Sequence, residues 1–252
     1  MDPTLPLITD PERAREVLTH CPMPPVRPDA ASGIAWLRAQ VPRFSNGAEH
    51  RRRHALVLAE LDRLDPSALR IAARTAEGPL AHVQVLADAL GLRGVSVAAV
   101  EVVAAHYQPH IPPTPEADAA VAELVAACGG VADETTAARI SLLVQACPAT
   151  AALLANVRTV RADIAEHGWA TKALESALAQ RPPVPRTRRV VDGNLVDIDL
   201  TRDGLSFGAG PHMCPGRAHA LAIAAGILEA APPRIFDPAG PVVPGAPSET
   251  KR

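Results

Sequence analysis

The chemistry of this sequence is concentrated in Phe207-Gly208-Ala209-Gly210-Pro211-His212-Met213-Cys214-Pro215-Gly216. From Pro215 to Ala231 the residues are mostly Ala, Leu and Ile, with Gly226 the one weak helix former. A helix is therefore expected to begin immediately after Cys214, with Pro215 at its first position, where a missing N–H costs nothing. Cys214 then stands at the positive end of a helix dipole, and the glycines before it leave backbone N–H groups free to point at its sulfur. Both effects favour thiolate, the metal-ligating form, over a thiol whose ordinary pKa is ~8.5. Gly208 and Gly210 let the loop double back closely, and the missing side chain at Gly216 leaves room for a flat ligand against the helix start. The plainer reading of a lone cysteine here is a buried structural residue after a Gly-rich turn.

Phe207, Gly210, His212, Cys214 and Gly216 stand at the spacings of Phe-x-x-Gly-x-His-x-Cys-x-Gly, and in this the segment closely resembles the heme-thiolate ligand loop of cytochrome P450 proteins. The resemblance implies heme b (iron protoporphyrin IX) with Cys214 as its axial iron ligand, Phe207 packed beside the sulfur and His212 reaching a propionate. A thiolate ligand pushes electron density onto the iron and favours O–O cleavage. Other stretches are similar to the family in order and spacing. Leu7 to Leu18 looks like its first strand-to-helix passage, Gly47 to Arg53 like the start of the helix over the propionates, Ser141 to Ala151 like the long distal helix, and Pro182 to Arg189 like the stretch after the Glu-x-x-Arg helix.

By the same resemblance His50 and Arg189 contact the propionates, which must be paired or solvated when partly buried. Without the resemblance, the basic run around His50 and Arg52 would be a solvated cationic face. Where the family often has a second basic residue four positions after His50, this chain has His54, a pH-dependent substitute. Thr150 is the candidate catalytic residue on the distal helix, although a threonine there commonly bonds back to the preceding turn. The acid that precedes this threonine in the family, and with it relays protons during oxygen activation, is replaced by Ala149.

Further departures concern the bracing of the loop. Ser176 and Ala179 occupy the places of the Glu-x-x-Arg pair, and too little chain lies between Arg189 and Phe207 for the usual meander. Losing both members of a buried ion pair together is physically sensible, because a survivor would be an unpaired buried charge. Relative to the family the sequence also reads as trimmed at both ends.

The elements that must hold these residues follow from caps and periodicity. A strand is expected within Leu5 to Thr9, then a helix from Pro11 to about His20 capped by Asp10, and a Pro-rich loop over residues 21 to 33. Helices follow over Ala48 to about Leu64, from Asp65-Pro66, over Ala81 to Leu90, Val95 to Tyr107 and Glu116 to Cys128. Asp133 should cap a long helix to about Glu166, bent at Pro148. Thr171 to Gln180 is helical, Arg188 to Leu200 a strand or a hairpin about Asp192-Gly193-Asn194, and the tail beyond Pro232 proline-rich. The expected fold is mainly α with a small β component, a shortened P450-like single domain over residues 1–231. Loops Cys21 to Ile34 and Tyr107 to Pro115 would line its substrate pocket.

Composition bounds the rest. With 252 residues, 48% hydrophobic and only 2% aromatic, the core must be built from Ala, Leu and Val. A net charge of -2 with scattered arginines leaves no nucleic-acid footprint. Cysteines at 21, 128, 147 and 214 form neither a zinc pattern nor a disulfide framework. No basic leader or run of ~20 uninterrupted apolar residues is present, so a cytoplasmic protein without a membrane anchor is expected. The expected function is oxidation of a small organic substrate. If dioxygen is the oxidant, electrons must come from a separate ferredoxin and reductase, which Arg51, Arg52 and Arg53 would help dock. Alternatives are peroxide-driven or non-oxidative heme chemistry, or a non-catalytic heme-binding scaffold. A homo-oligomer or a pathway enzyme would cover apolar surface left by an abbreviated sheet.

Overall fold

A computed structural model of the chain describes residues 5–26, 30–159 and 168–230. The proline-rich tail expected beyond Pro232 lies outside them. Strand β1 (Leu7–Ile8) leads into α1 (Pro11–His20), whose first turn is closed by Asp10 Oδ1 accepting from Arg13 N at 2.7 Å. Helices α3 (Gly47–Leu61), α4 (Pro66–Ala73), α5 (Ala81–Ala89), α6 (Val97–Ala105) and α7 (Pro115–Ala127) stand where caps and apolar periodicity place them. Asp65, Ser96 and Thr114 accept the orphan N–H groups of α4, α6 and α7.

One helix was not expected. Between α1 and α3, α2 (Gly33–Gln40) forms although Ser32 makes no capping bond and Gly33 has a φ of +70°. The missing cap comes from the tertiary fold, where Asp118 Oδ1 on α7 accepts from Ile34 N at 2.8 Å. A 3-10 turn, Pro42–Phe44, then carries the chain into α3.

The long central helix α8 (Glu134–Val157) starts at Asp133 as expected but ends short of Glu166. Its last turn tightens, with Arg158 N bonded to Ala155 O and Thr159 Oγ1 donating to Asn156 O at 2.7 Å, a local alternative to helix continuation. Helical assignment continues through Pro148, and His82 Nε2 on α5 donates to the neighbouring Cys147 carbonyl at 2.8 Å. Helix α9 (Trp169–Gln180) follows, then the hairpin β2 (Arg186–Val191) and β3 (Asn194–Asp199). Asp192 and Gly193 both have positive φ, as a two-residue hairpin turn requires. The sheet order is β1-β3-β2, β1 parallel and β2 antiparallel to β3. The last described helix, α10 (Arg217–Ala230), begins two residues later than Pro215, after a turn, with Gly216 O accepting its first bond from Ala220 N.

Helix α8 is apolar and long enough to cross a membrane by length and composition. Here it is the axle of the core, packing against α2, α3, α5, α6, α7, α9 and α10. Ile140, Leu143 and Val144 on α8 meet Val83, Val100, Leu124 and Leu37 in the main cluster. Its C-terminal half, with Leu153 and Val157, packs on Leu174 of α9 and Leu228 of α10. A third cluster lays Ala14, Val17 and Leu18 of α1 against Val196 and Ile198 of β3 and against Leu205. Since Leu205 opens the cysteine loop, this cluster sets the loop's position on α1.

Candidate functional site

The cysteine loop is two short 3-10 turns, Leu205–Phe207 and Gly210–His212, joined by Gly208 at φ 75° and ψ −168°, a region essentially reserved for glycine. Cys214 N–H donates to Phe207 O at 2.9 Å and closes it. The expected close approach is found at Gly210. Its φ is +67°, and a β-carbon there would lie 2.6 Å from Thr19 Cα and 2.9 Å from Leu18 O on α1. At Gly216 a β-carbon would meet nothing within 4 Å, so the space beside the start of α10 is open. In place of an ion pair, Ser206 Oγ donates to Leu178 O at 3.2 Å and ties the loop to α9. The side chain of Phe207 packs toward the cluster of Leu153, Leu174 and Leu228, with Arg217 Cζ 5.1 Å from its ring centroid.

Cys214 is exposed, which removes the plain buried-cysteine reading. The thiolate expectation needs correcting for the chain on its own. The enclosing protein raises the thiol, opposed by the Gly216 N–H at the sulfur and by the Arg43 guanidinium. The N–H comes from Gly216 after the cysteine rather than from the glycines before it.

Beside this loop the fold gathers basic groups from four places. His212 of the loop meets His50 of α3 with ring centroids 3.9 Å apart and planes tilted by 48°, and His50 stacks at 5.2 Å on His54, one turn along the same helix. Arg189, from β2, is 2 % exposed. Its Nη1 bonds only to Met23 Sδ at 2.7 Å, Arg188 O at 2.9 Å and Thr187 Oγ1 at 3.4 Å, while its Nε has no partner. Arg43 joins them from the Pro42–Phe44 turn. Burial is the main cause of depression throughout. It drives His212 down to about 3, helped by His50, Arg189, Arg43 and His54, and Arg189 down to about 10, helped by Arg43. Burial also lowers His50 and His54.

No carboxylate acts on Arg43 or Arg189 among the described residues. A guanidinium settling for a thioether, a weak acceptor, and a sealed His54 Nε2 without a partner both leave donors unspent. Buried polar groups in native proteins are nearly always satisfied, and buried like charges repel. The chemistry this cluster calls for is a buried group carrying carboxylates. The residues fit such a group: His50, His54, His212, Arg43 and Arg189 would hold the propionates of a porphyrin, and Cys214 would bind its metal. Among the described residues no three His, Cys, Asp or Glu side chains are arranged to share a metal ion, the histidine stack included.

Thr150 is buried on α8, and its hydroxyl makes no hydrogen bond with any described residue. It thus differs from Ser141 on the same helix, which does bond back, to Ala138 O at 2.8 Å. The arginine run does not present three docking charges. Arg52 grips Glu134 through two bonds of 2.8 and 2.7 Å, and Arg53 is buried between Glu134 and Ser45, leaving Arg51 exposed. Two arginines escaped sequence reading. Arg38 is tied to the carbonyls of His106, Tyr107 and Ile111 and so holds the loop after α6. Arg43 is the other, and only its neighbours in space distinguish it.

No protein-family model and no curated protein matches the sequence. Solved structures do. A P450 crystallised with an acyl carrier protein bearing hexadec-9Z-enoic acid is 14% identical, with a TM-score of 0.62 over 88% of this chain and 83% of that one. A thermophilic cytochrome P450 from Sulfolobus tokodaii is 18% identical, TM-score 0.61, over 87% and 77%. A Mycobacterium smegmatis P450 solved with econazole is 17% identical, TM-score 0.57, over 89% and 82%. At such identities the likeness is one of fold, and the fold is a P450-like helical one.

Proposed function

We propose that this chain binds heme through Cys214 and oxidises a small organic substrate. The observation that carries the reading is the acid-free cluster of His50, His54, His212, Arg43 and Arg189 beside an open, glycine-framed cysteine. When bound, a thiolate-ligated heme supplies activation of oxygen or peroxide. The protein's own residues do the remaining work. Cys214 offers its sulfur at a point held by the Phe207 carbonyl and the Gly216 N–H. The histidines donate to carboxylate oxygens, and Arg189 pairs with them. Thr150, whose hydroxyl is not spent on the helix, is the group available to hold a proton on the opposite side.

Ala149 favours peroxide as the oxidant. Dioxygen activation needs two protons delivered during the cycle, and no acid adjoins Thr150 in sequence to deliver them, whereas hydrogen peroxide already carries both. If dioxygen is used, electrons come from a separate ferredoxin and reductase, for whose docking Arg51 is the one member of its run left free. Carrier-bound acyl chains join free small molecules as substrate classes to assay, since one structural neighbour was solved with an acyl carrier protein. A non-catalytic heme-binding role is the second reading, favoured by the replacement of the bracing ion pair with a single Ser206 hydrogen bond.

A carbon monoxide difference spectrum of the reduced, hemin-loaded protein tests the ligand. A thiolate-type Soret shift that Cys214→Ala abolishes supports it, and protein that stays colourless with hemin refutes it. Turnover of a substrate panel with peroxide, against dioxygen plus ferredoxin and reductase, then separates catalysis from binding. No turnover and no substrate-induced spectral shift leaves the non-catalytic role.

A further inference from the structure

We infer that Arg43 is a second guanidinium anchor for the porphyrin carboxylates, alongside Arg189. The inference rests on the heme reading and assigns a residue that no sequence motif marks.

Two carboxylates entering a buried site are best matched by two groups that keep their charge. Three closely placed imidazoles cannot supply it, because rings 3.9 and 5.2 Å apart repel one another when protonated. They serve as neutral N–H donors. Permanent charge is left to guanidiniums, and Arg189 provides one. Of the other arginines nearby, Arg38 is spent on three carbonyls, Arg52 and Arg53 on Glu134, and Arg51 is exposed on α3. The Arg43 side chain has neither a hydrogen bond nor an ion pair with any described residue, and its Cζ lies 5.8 Å from the Phe44 ring centroid.

Its placement is built rather than incidental. The turn carrying it is pinned by Ser45 Oγ donating to Val41 O at 2.6 Å and by Ser45 N donating to Pro42 O at 3.1 Å. Arg53 Nη1 donates to Ser45 Oγ, so the turn is fixed to the same helix that presents His50 and His54. Phe44 holds the next position, its ring 5.1 Å from that of Tyr107. Arg43 is half-buried, and its charge is felt by Arg189, His212 and Cys214. It therefore belongs to the same charge cluster as Arg189 and His212. Two guanidiniums of like charge with no carboxylate acting on either destabilise this cluster, and a dianion bound to them reverses the sign.

The test compares hemin with hemin dimethyl ester, which has the same ring and no carboxylates, in titrations of the full chain. Binding is followed by Soret absorbance and by tryptophan fluorescence quenching. Wild type is expected to prefer the diacid. Arg43→Gln should bind hemin roughly 10- to 100-fold more weakly, as for loss of a charge-assisted bond, and the diester nearly unchanged. Arg43→Lys should recover part of the preference. In urea unfolding without hemin, Arg43→Gln should be at least as stable as wild type, because a facing like charge is gone. A variant that keeps the wild-type preference for the diacid overturns the inference, and so does equal loss of hemin and diester with a less stable apoprotein. Failure of wild type to take up hemin sinks the heme reading itself, before any variant is compared.

Discussion

Replacing Gly210 by alanine probes whether the cysteine loop must lie directly on α1. Two costs add. A non-glycine residue at φ +67° pays about 1–2 kcal/mol for the left-handed conformation. The new methyl would also sit 2.6 Å from Thr19 Cα and 2.9 Å from Leu18 O, backbone atoms of a helix that cannot rotate aside. Overpacking of this kind costs about 1–3 kcal/mol. Together the loss is about 3 kcal/mol, a large part of a typical net stability, and a fall in melting temperature of about 6–12 °C for a chain of this size. The assay is urea and thermal unfolding of the hemin-free protein, with Gly216→Ala as control. At Gly216 the methyl meets open space, so stability should stay within about 0.5 kcal/mol of wild type while hemin uptake falls. A Gly210→Ala protein within 1 kcal/mol of wild type would refute the packing argument. A Gly216→Ala protein with undiminished hemin uptake would refute the placement of a flat ligand against α10.

Gly226→Ala should invert the usual gain from removing a helical glycine, about 1 kcal/mol. The methyl would fall 2.2 Å from Arg70 O and 2.8 Å from Ala73 Cβ on α4, so a net destabilisation of about 2 kcal/mol is expected in urea unfolding. Glu134 is held down at about 2, chiefly by its bonds from Arg52 and next by those from Arg53. A depressed carboxylate stabilises the fold above its unfolded pKa, about 4.3, and that contribution fades as pH falls from there toward 2. Because Arg52 is half exposed, the contribution is discounted to about 1–2 kcal/mol. Glu134→Gln should therefore be less stable by that amount at pH 7, the gap narrowing steadily below about pH 4.3 as pH falls toward 2, as followed by unfolding across that range.

The helices readable in the chain are those whose caps are local. Asp10, Asp65 and Asp133 each close a first turn with a bond two or three residues away, so sequence spacing alone contains the whole interaction. Helix α2 was missed because its cap, Asp118, is 84 residues distant. The reach of α8 was overestimated because helix-forming residues such as Arg161, Ala162, Ala165 and Glu166 continue in sequence past the point where Thr159 and Asn156 tighten the last turn. Arg52 and Arg53 look solvated in sequence, yet Glu134 lies beside them only once α3 and α8 have packed.

For the candidate site the division is similar. Residue types and spacings by themselves marked the loop and its glycines, because a glycine-framed cysteine is a local object, whereas His50, His54, Arg189 and His212 were drawn together only by the resemblance to the heme-thiolate family. Tertiary structure alone decided that three histidines would come together, that burial would lower them, and that Arg43 and Arg189 would join one charge cluster in which no carboxylate of the described residues acts on either. Charge balance is a property of neighbours in space. It comes into being only when α3, β2 and the cysteine loop converge and water is driven from between them.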